Sequence, residues 1–125
     1  MSKLIFFVDD DKMIINLLEY TFQNRHRYQI KSFISGEDCL EAMDLNPDLI
    51  VLDYQMSSYD EERMDGLETL NEIRKKDPNL PVIVLTGNGS DELYLEFKNT
   101  GAVGYLTKDD YFVDSLMEQI NEVLS

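Results

Sequence analysis

Unbroken apolar runs punctuate the chain, and each stops abruptly at a polar side chain. Leu4-Ile5-Phe6-Phe7-Val8 ends at Asp9-Asp10-Asp11, Leu49-Ile50-Val51-Leu52 at Asp53, and Val82-Ile83-Val84-Leu85 at Thr86-Gly87. Continuous apolar runs of this length predict strands buried on both faces. The stretch 28–33 alternates instead, which predicts an edge or half-exposed strand, and a fifth strand is expected over about 103–106. Between these runs the spacing turns helical. Ile14, Leu17, Leu18, Thr21 and Phe22 predict a helix over about 12–25. Ser35 can cap a second helix that buries Cys39, Leu40 and Met43, with Pro47 breaking the pattern beyond it. Gly66 opens a third helix, burying Leu67, Leu70 and Ile73, and Pro78 and Pro81 bracket the approach to the next strand. Ser90 is the expected cap of a fourth, with Asp91 and Glu92 in its first turn. Its buried face draws on Leu93, Tyr94, Leu95 and Phe97, and Gly101 stops it in a left-handed conformation. A closing helix over about 111–124 presents Val113, Leu116, Met117, Ile120 and Val123.

Five strands alternating with five helices imply an α/β fold with a parallel sheet covered on both faces. A length of 125 residues fits one domain spanning 1–125, and no repeat, linker or low-complexity tail interrupts it. The single cysteine, Cys39, rules out an internal disulfide and suits a reducing compartment. No apolar stretch approaches the roughly 20 residues of a membrane span. The N-terminus leads straight into a strand with no signal peptide, so a cytoplasmic location is expected. A formal charge of −14 argues against nucleic-acid binding, since phosphate selects Lys and Arg surfaces. That charge reads either as a solvated acidic surface or as a preference for basic partners and cations.

The candidate chemistry sits where the runs end. Function in open parallel sheets collects beyond the carboxyl ends of the strands. In this chain those ends carry Asp9 and Asp10, then Asp53, Thr86 and Lys108. Clustered carboxylates at the end of a buried strand repel one another, which calls for a hard cation such as Mg²⁺. Asp9 or Asp10 would hold the ion directly or through water. Asp53, alone on its strand, is placed to be both ligand and nucleophile, and a carboxylate attacking phosphorus yields an aspartyl phosphate. Lys108 would add a point charge to the transferring group, and Thr86 a hydroxyl donor. No general base is needed, because the carboxylate is already ionised.

With these residues in view, the chain resembles the receiver domain of two-component response regulators of the chemotaxis-regulator type, over essentially its whole length. The matching segments are Phe7-Val8-Asp9-Asp10-Asp11, Leu49-Ile50-Val51-Leu52-Asp53, Met64-Asp65-Gly66, Val84-Leu85-Thr86-Gly87 and Tyr105-Leu106-Thr107-Lys108. The resemblance implies a flavodoxin-like (βα)5 fold with strand order 2-1-3-4-5, an order that flavodoxin shares with members of this family. It further implies Asp53 as phosphoacceptor, Asp9 and Asp10 as the acidic metal pair, and the Gln55 backbone carbonyl as a further Mg²⁺ ligand. Thr86 and Tyr105 correspond to the switch hydroxyl and switch aromatic, and Lys108 to the family lysine. Gln55 and Asn88 fall at positions that tune the lifetime of the phosphoryl group. A histidine kinase or phosphotransfer protein is the implied donor. A downstream protein reads the surface of the fourth helix, fifth strand and fifth helix, with no membrane involved. Beyond self-phosphorylation from a donor and slow autodephosphorylation, no enzyme activity is implied.

Two features depart from the family pattern. Met56 is followed by Ser57 where proline is usual, and 57–65 forms a lengthened loop that delays Asp65-Gly66. Closure entropy makes such an insertion inexpensive, so it reads either as harmless drift or as a lid or partner contact. Asp109 replaces the proline that normally follows the lysine. Either the Lys108–Asp109 peptide is trans and Lys108 approaches differently, or the site bears strain. Asp11 reads as a helix cap, Tyr94, Phe97 and Tyr111 as packing, and His26 as an exposed residue. One alternative is a degenerate receiver acting as a constitutive scaffold. Another is a haloacid-dehalogenase-type phosphatase, which needs a second acid where this chain has Gln55. A flavodoxin is disfavoured, since Asp9-Asp10-Asp11 would repel a cofactor phosphate. The chain stops with its last helix, leaving no room for an output domain, so it reads as a stand-alone regulator or a piece of a longer protein.

Overall fold

The computed structural model describes residues 2–25, 27–54, 64–87 and 91–124. His26, Gln55, Asn88, the Ser90 cap and most of the 57–65 loop lie outside the described residues. The elements run β1 (Lys3–Val8), α1 (Lys12–Phe22), β2 (Tyr28–Phe33), α2 (Gly36–Glu41), a 3-10 turn (Met43–Leu45), β3 (Leu49–Asp53), α3 (Gly66–Lys76), β4 (Val82–Thr86), α4 (Asp91–Asn99), β5 (Gly104–Thr107) and α5 (Phe112–Leu124). The five strands form one parallel sheet in the order β2-β1-β3-β4-β5. This is the expected flavodoxin-like arrangement.

The apolar runs are continuous because both faces of the central strands are covered. Successive side chains point to opposite faces. Ile5, Phe7, Val51 and Leu85 pack under α1 and α5, against Ile15, Leu18, Leu116 and Ile120. Phe6, Val8, Ile50, Leu52 and Val84 pack on the other face, against Cys39, Leu70, Ile73 and Phe97. Among the described residues, three helices start on side-chain caps, each worth about 1 kcal/mol. Asp11 accepts from the Met13 N–H at 2.9 Å, Ser35 from Asp38 at 3.2 Å, and Asp65 from Glu68 at 2.8 Å. Gly101 closes α4 at φ +88°, as its glycine implied.

Four details differ from the sequence pattern. In α1, Leu18 and Phe22 are buried as inferred and Ile14 packs against the core, but Ile15 joins the buried stripe and Leu17 is exposed. So many apolar positions crowd this helix that periodicity alone does not select its face. In α4 only Phe97 is fully buried, while Tyr94 is 45% and Leu95 56% exposed. That helix packs against the edge strand β5, so only a narrow stripe of it is covered. Met43 belongs to the 3-10 turn and is half-buried, and Tyr111 is exposed and not packed. No helix among the described residues is long and apolar enough to cross a membrane.

Candidate functional site

Strand register assembles the site. Val8 pairs with Leu52, so Asp9 emerges beside Asp53 at the carboxyl end of the two central strands. Asp53 pairs with Leu85 and Thr86 with Thr107, which brings Thr86 and then Lys108 to the same end. The Lys108 N–H donates to the Thr86 carbonyl at 2.7 Å and fixes that approach. Gly66 closes the far side. A Cβ there would lie 2.5 Å from the Tyr54 Cα, so only glycine lets α3 begin against the end of β3. The sequence marked Gly66 as a helix start; the close approach that requires it has no sequence signal of its own.

Asp9 and Asp53 are each only 2% exposed. One oxygen from each of Asp9, Asp10 and Asp53 lies within 4.8 Å of the others. Asp9 uses both oxygens. Its Oδ1 accepts from the Asp11 N–H at 2.9 Å, and its Oδ2 from Lys108 Nζ at 2.7 Å. The same ammonium stands 3.2 Å from Asp53 Oδ1. Burial alone would lower the Lys108 pKa. The hydrogen bond to Asp9 and the charges of Asp53 and Asp9 outweigh it and hold the ammonium above its ordinary 10.5. Among the described residues, three carboxylates stand against one ammonium, with no sulfur or imidazole, a donor set that suits a hard divalent cation.

The Lys108–Asp109 peptide is trans, and Lys108 still reaches both acids. Asp109 is engaged locally, its carboxylate accepting from the Tyr111 N–H at 2.9 Å. Thr86 is fully buried, and Asp11 serves as the α1 cap. A run of aromatic rings leads away from the site. Tyr54, next to Asp53, meets Phe97 edge-on at 5.0 Å; Phe97 lies 6.0 Å from Tyr105, and Tyr105 5.4 Å from Tyr94. Nothing in the sequence singles out Tyr54, since a lone aromatic beside a strand end is commonplace.

The family model for the response regulator receiver domain matches residues 5–121. The chain belongs to the response regulator receiver domain family. Among curated relatives, it is 31% identical over 109 residues to the alkaline phosphatase synthesis transcriptional regulatory protein PhoP of Bacillus subtilis. That match covers 86% of this chain but only 43% of the regulator. The chemotaxis protein CheY of Halobacterium salinarum is 30% identical over 129 residues, covering 100% of this chain and 99% of the relative. Among solved structures, the BeF3-activated receiver domain of DrrB, a Thermotoga maritima protein, superposes with a TM-score of 0.83 at 30% identity, covering 99% and 98% of the two chains. Receiver domains of two-component response regulators are generally non-enzymatic signalling domains. They bind Mg²⁺ at an acidic pocket and interact with histidine kinases and effector partners.

Proposed function

We propose that Asp53 accepts a phosphoryl group from a phosphohistidine on a histidine kinase or phosphotransfer protein. The resulting aspartyl phosphate switches the α4–β5–α5 surface for a downstream protein. The observation that carries this is the placement of Asp53. It is a buried carboxylate on the central strand, within reach of Asp9, Asp10 and Lys108. In the transfer, an Asp53 oxygen forms a bond to phosphorus. The P–N bond to the donor imidazole breaks, and its electron pair stays on the nitrogen. Asp9, Asp10 and Asp53, with the Gln55 carbonyl, would hold Mg²⁺; when bound, the ion neutralises charge on the transferring group.

Lys108 supplies the second positive charge from the opposite side, already positioned by its contacts to Asp9 and Asp53. Thr86 offers its hydroxyl to a phosphoryl oxygen, and its inward move vacates space that Tyr105 fills. The contact of Tyr105 with Phe97 and Tyr94 supports this route from site to surface. Gln55 and Asn88 set how readily water reaches the acyl phosphate.

The test is a titration of the intact chain with Mg²⁺ and then beryllofluoride, followed by NMR. Amide shifts at Asp53, Thr86 and Tyr105 that require both additions are expected. A folded protein with no beryllofluoride response is instead the constitutive scaffold.

A further inference from the structure

Tyr54 directly follows the proposed phosphoacceptor, and its backbone is held from two sides. Its N–H donates to the Leu85 carbonyl on β4 at 2.8 Å, and its carbonyl accepts from the Gly66 N–H at 3.3 Å. Gly66 approaches the Tyr54 Cα so closely that a Cβ has no space there, so residue 54 has no room to yield towards α3. Its half-buried side chain meets Phe97 of α4 edge-on, with the ring planes at 84°.

The helix on the other side of that contact is held unevenly. Near its C-terminal end Phe97 is fully buried, and the Phe97 carbonyl accepts from the Thr100 hydroxyl at 2.7 Å and the Ala102 N–H at 3.1 Å. The Arg74 guanidinium grips the turn beyond, through the Thr100 and Gly101 carbonyls. Nearer the N-terminal end Leu93 is half-buried, and Tyr94 and Leu95 are exposed. A helix fixed at one end pivots there. At a rise of about 1.5 Å per residue, the stretch from Phe97 back to Asp91 makes an arm of about 9 Å. A small displacement where Phe97 seats on Tyr54 therefore grows along α4.

We propose that Tyr54 is a positioning residue that links the state of Asp53 to the pose of α4, through a contact separate from the Thr86–Tyr105 pair. The edge-on seat of Phe97 on Tyr54 belongs to the unphosphorylated chain, and phosphorylation of Asp53 unseats it. The inference rests on the proposed phosphorylation of Asp53 and adds a residue through which that site is regulated. Linkage makes the coupling reciprocal, so whatever loosens the seat also favours the phosphorylated form of the site. Edge-on aromatic pairs are directional, and a leucine of similar apolar character does not restore one.

The experiment measures beryllofluoride affinity in the presence of Mg²⁺, by NMR on the intact chain. Tyr54→Phe keeps the ring and should match wild type. Tyr54→Leu should bind beryllofluoride about fivefold more tightly, and so should Phe97→Leu, with the double variant no tighter than either single one. A side chain that only fills the core would lower stability when replaced and leave this affinity unchanged or weaker. That result, or single effects that add in the double variant, would overturn the proposal. A second measurement needs no variant. Nuclear Overhauser effects between the Tyr54 and Phe97 rings are expected in the unliganded wild-type chain and should be lost at saturating beryllofluoride. A chain that binds beryllofluoride and keeps those effects overturns this inference alone, whereas one that never binds it overturns the phosphorylation reading beneath.

Discussion

Lys108 supplies the positive charge on which the acidic cluster depends. Its ammonium serves two buried carboxylates at once, and its pKa is held above 10.5. A raised lysine stabilises the fold fully below its ordinary pKa and loses that contribution only as pH climbs past the folded value, so neutral pH leaves the contacts intact. Lys108→Met leaves buried carboxylates with no counter-charge. In urea denaturation without Mg²⁺ it should lower stability by on the order of 3 kcal/mol, and Mg²⁺ should recover part of that loss. Unchanged stability would mean that the acids are neutralised by something else. Cys39 is a second test of burial. Its thiol is pushed up to about 12 from 9.0 by desolvation. The unfolded chain therefore ionises this thiol from about pH 9 while the folded chain holds its proton, and rising pH favours unfolding across that interval. The stability advantage of wild type over Cys39→Val should fall by about 1.4 kcal/mol per pH unit above pH 9. A difference flat with pH would contradict the buried, inert thiol.

Between elements, Arg74 joins the end of α3 to the turn that leads into β5. Its Nε donates to Thr100 O at 3.0 Å, Nη2 to Gly101 O at 2.7 Å, and Nη1 to Leu80 O at 2.6 Å. Arg74→Lys keeps the charge but cannot reach these carbonyls in a planar fork. It should cost about 1–3 kcal/mol and speed amide hydrogen exchange at Gly101, Ala102 and Val103, leaving β1 and β3 protected. Uniform protection across the sheet would show that the turn holds without it. The sequence offered no view of this clamp, since the acceptors at Thr100 and Gly101 are backbone carbonyls 26 and 27 residues away, and carbonyls leave no mark on composition. The strands were readable because Phe6 and Phe7, or Val51 and Leu52, must be apolar on both faces. The face of α1 was not, because Ile14, Ile15, Leu17 and Leu18 are all apolar and only the packing against Phe7 and Val51 chooses among them.

For the molecule as a whole, strand order converts separate sequence signals into one site. Asp9, Asp53, Thr86 and Lys108 were each visible as the residue at which a strand stops, and the parallel register brings those stops to one end of the sheet. What stayed hidden depends on tertiary approach: the fit of Gly66 against Tyr54, the ring contacts from Tyr54 to Tyr94, and the packing of Gln119 Oε1 over Gly104. The trans Lys108–Asp109 peptide answers a question that the missing proline left open. The proposed function of this acidic end of the sheet is to accept one phosphoryl group, on Asp53. Intact-mass measurement after incubation with acetyl phosphate and Mg²⁺ tests it most directly. One phosphoryl group is expected on the wild-type chain, released by hydroxylamine as an acyl phosphate, and none on Asp53→Asn. Equal modification of the two proteins, or a wild-type chain that stays unmodified while folded and Mg²⁺-bound, would contradict it.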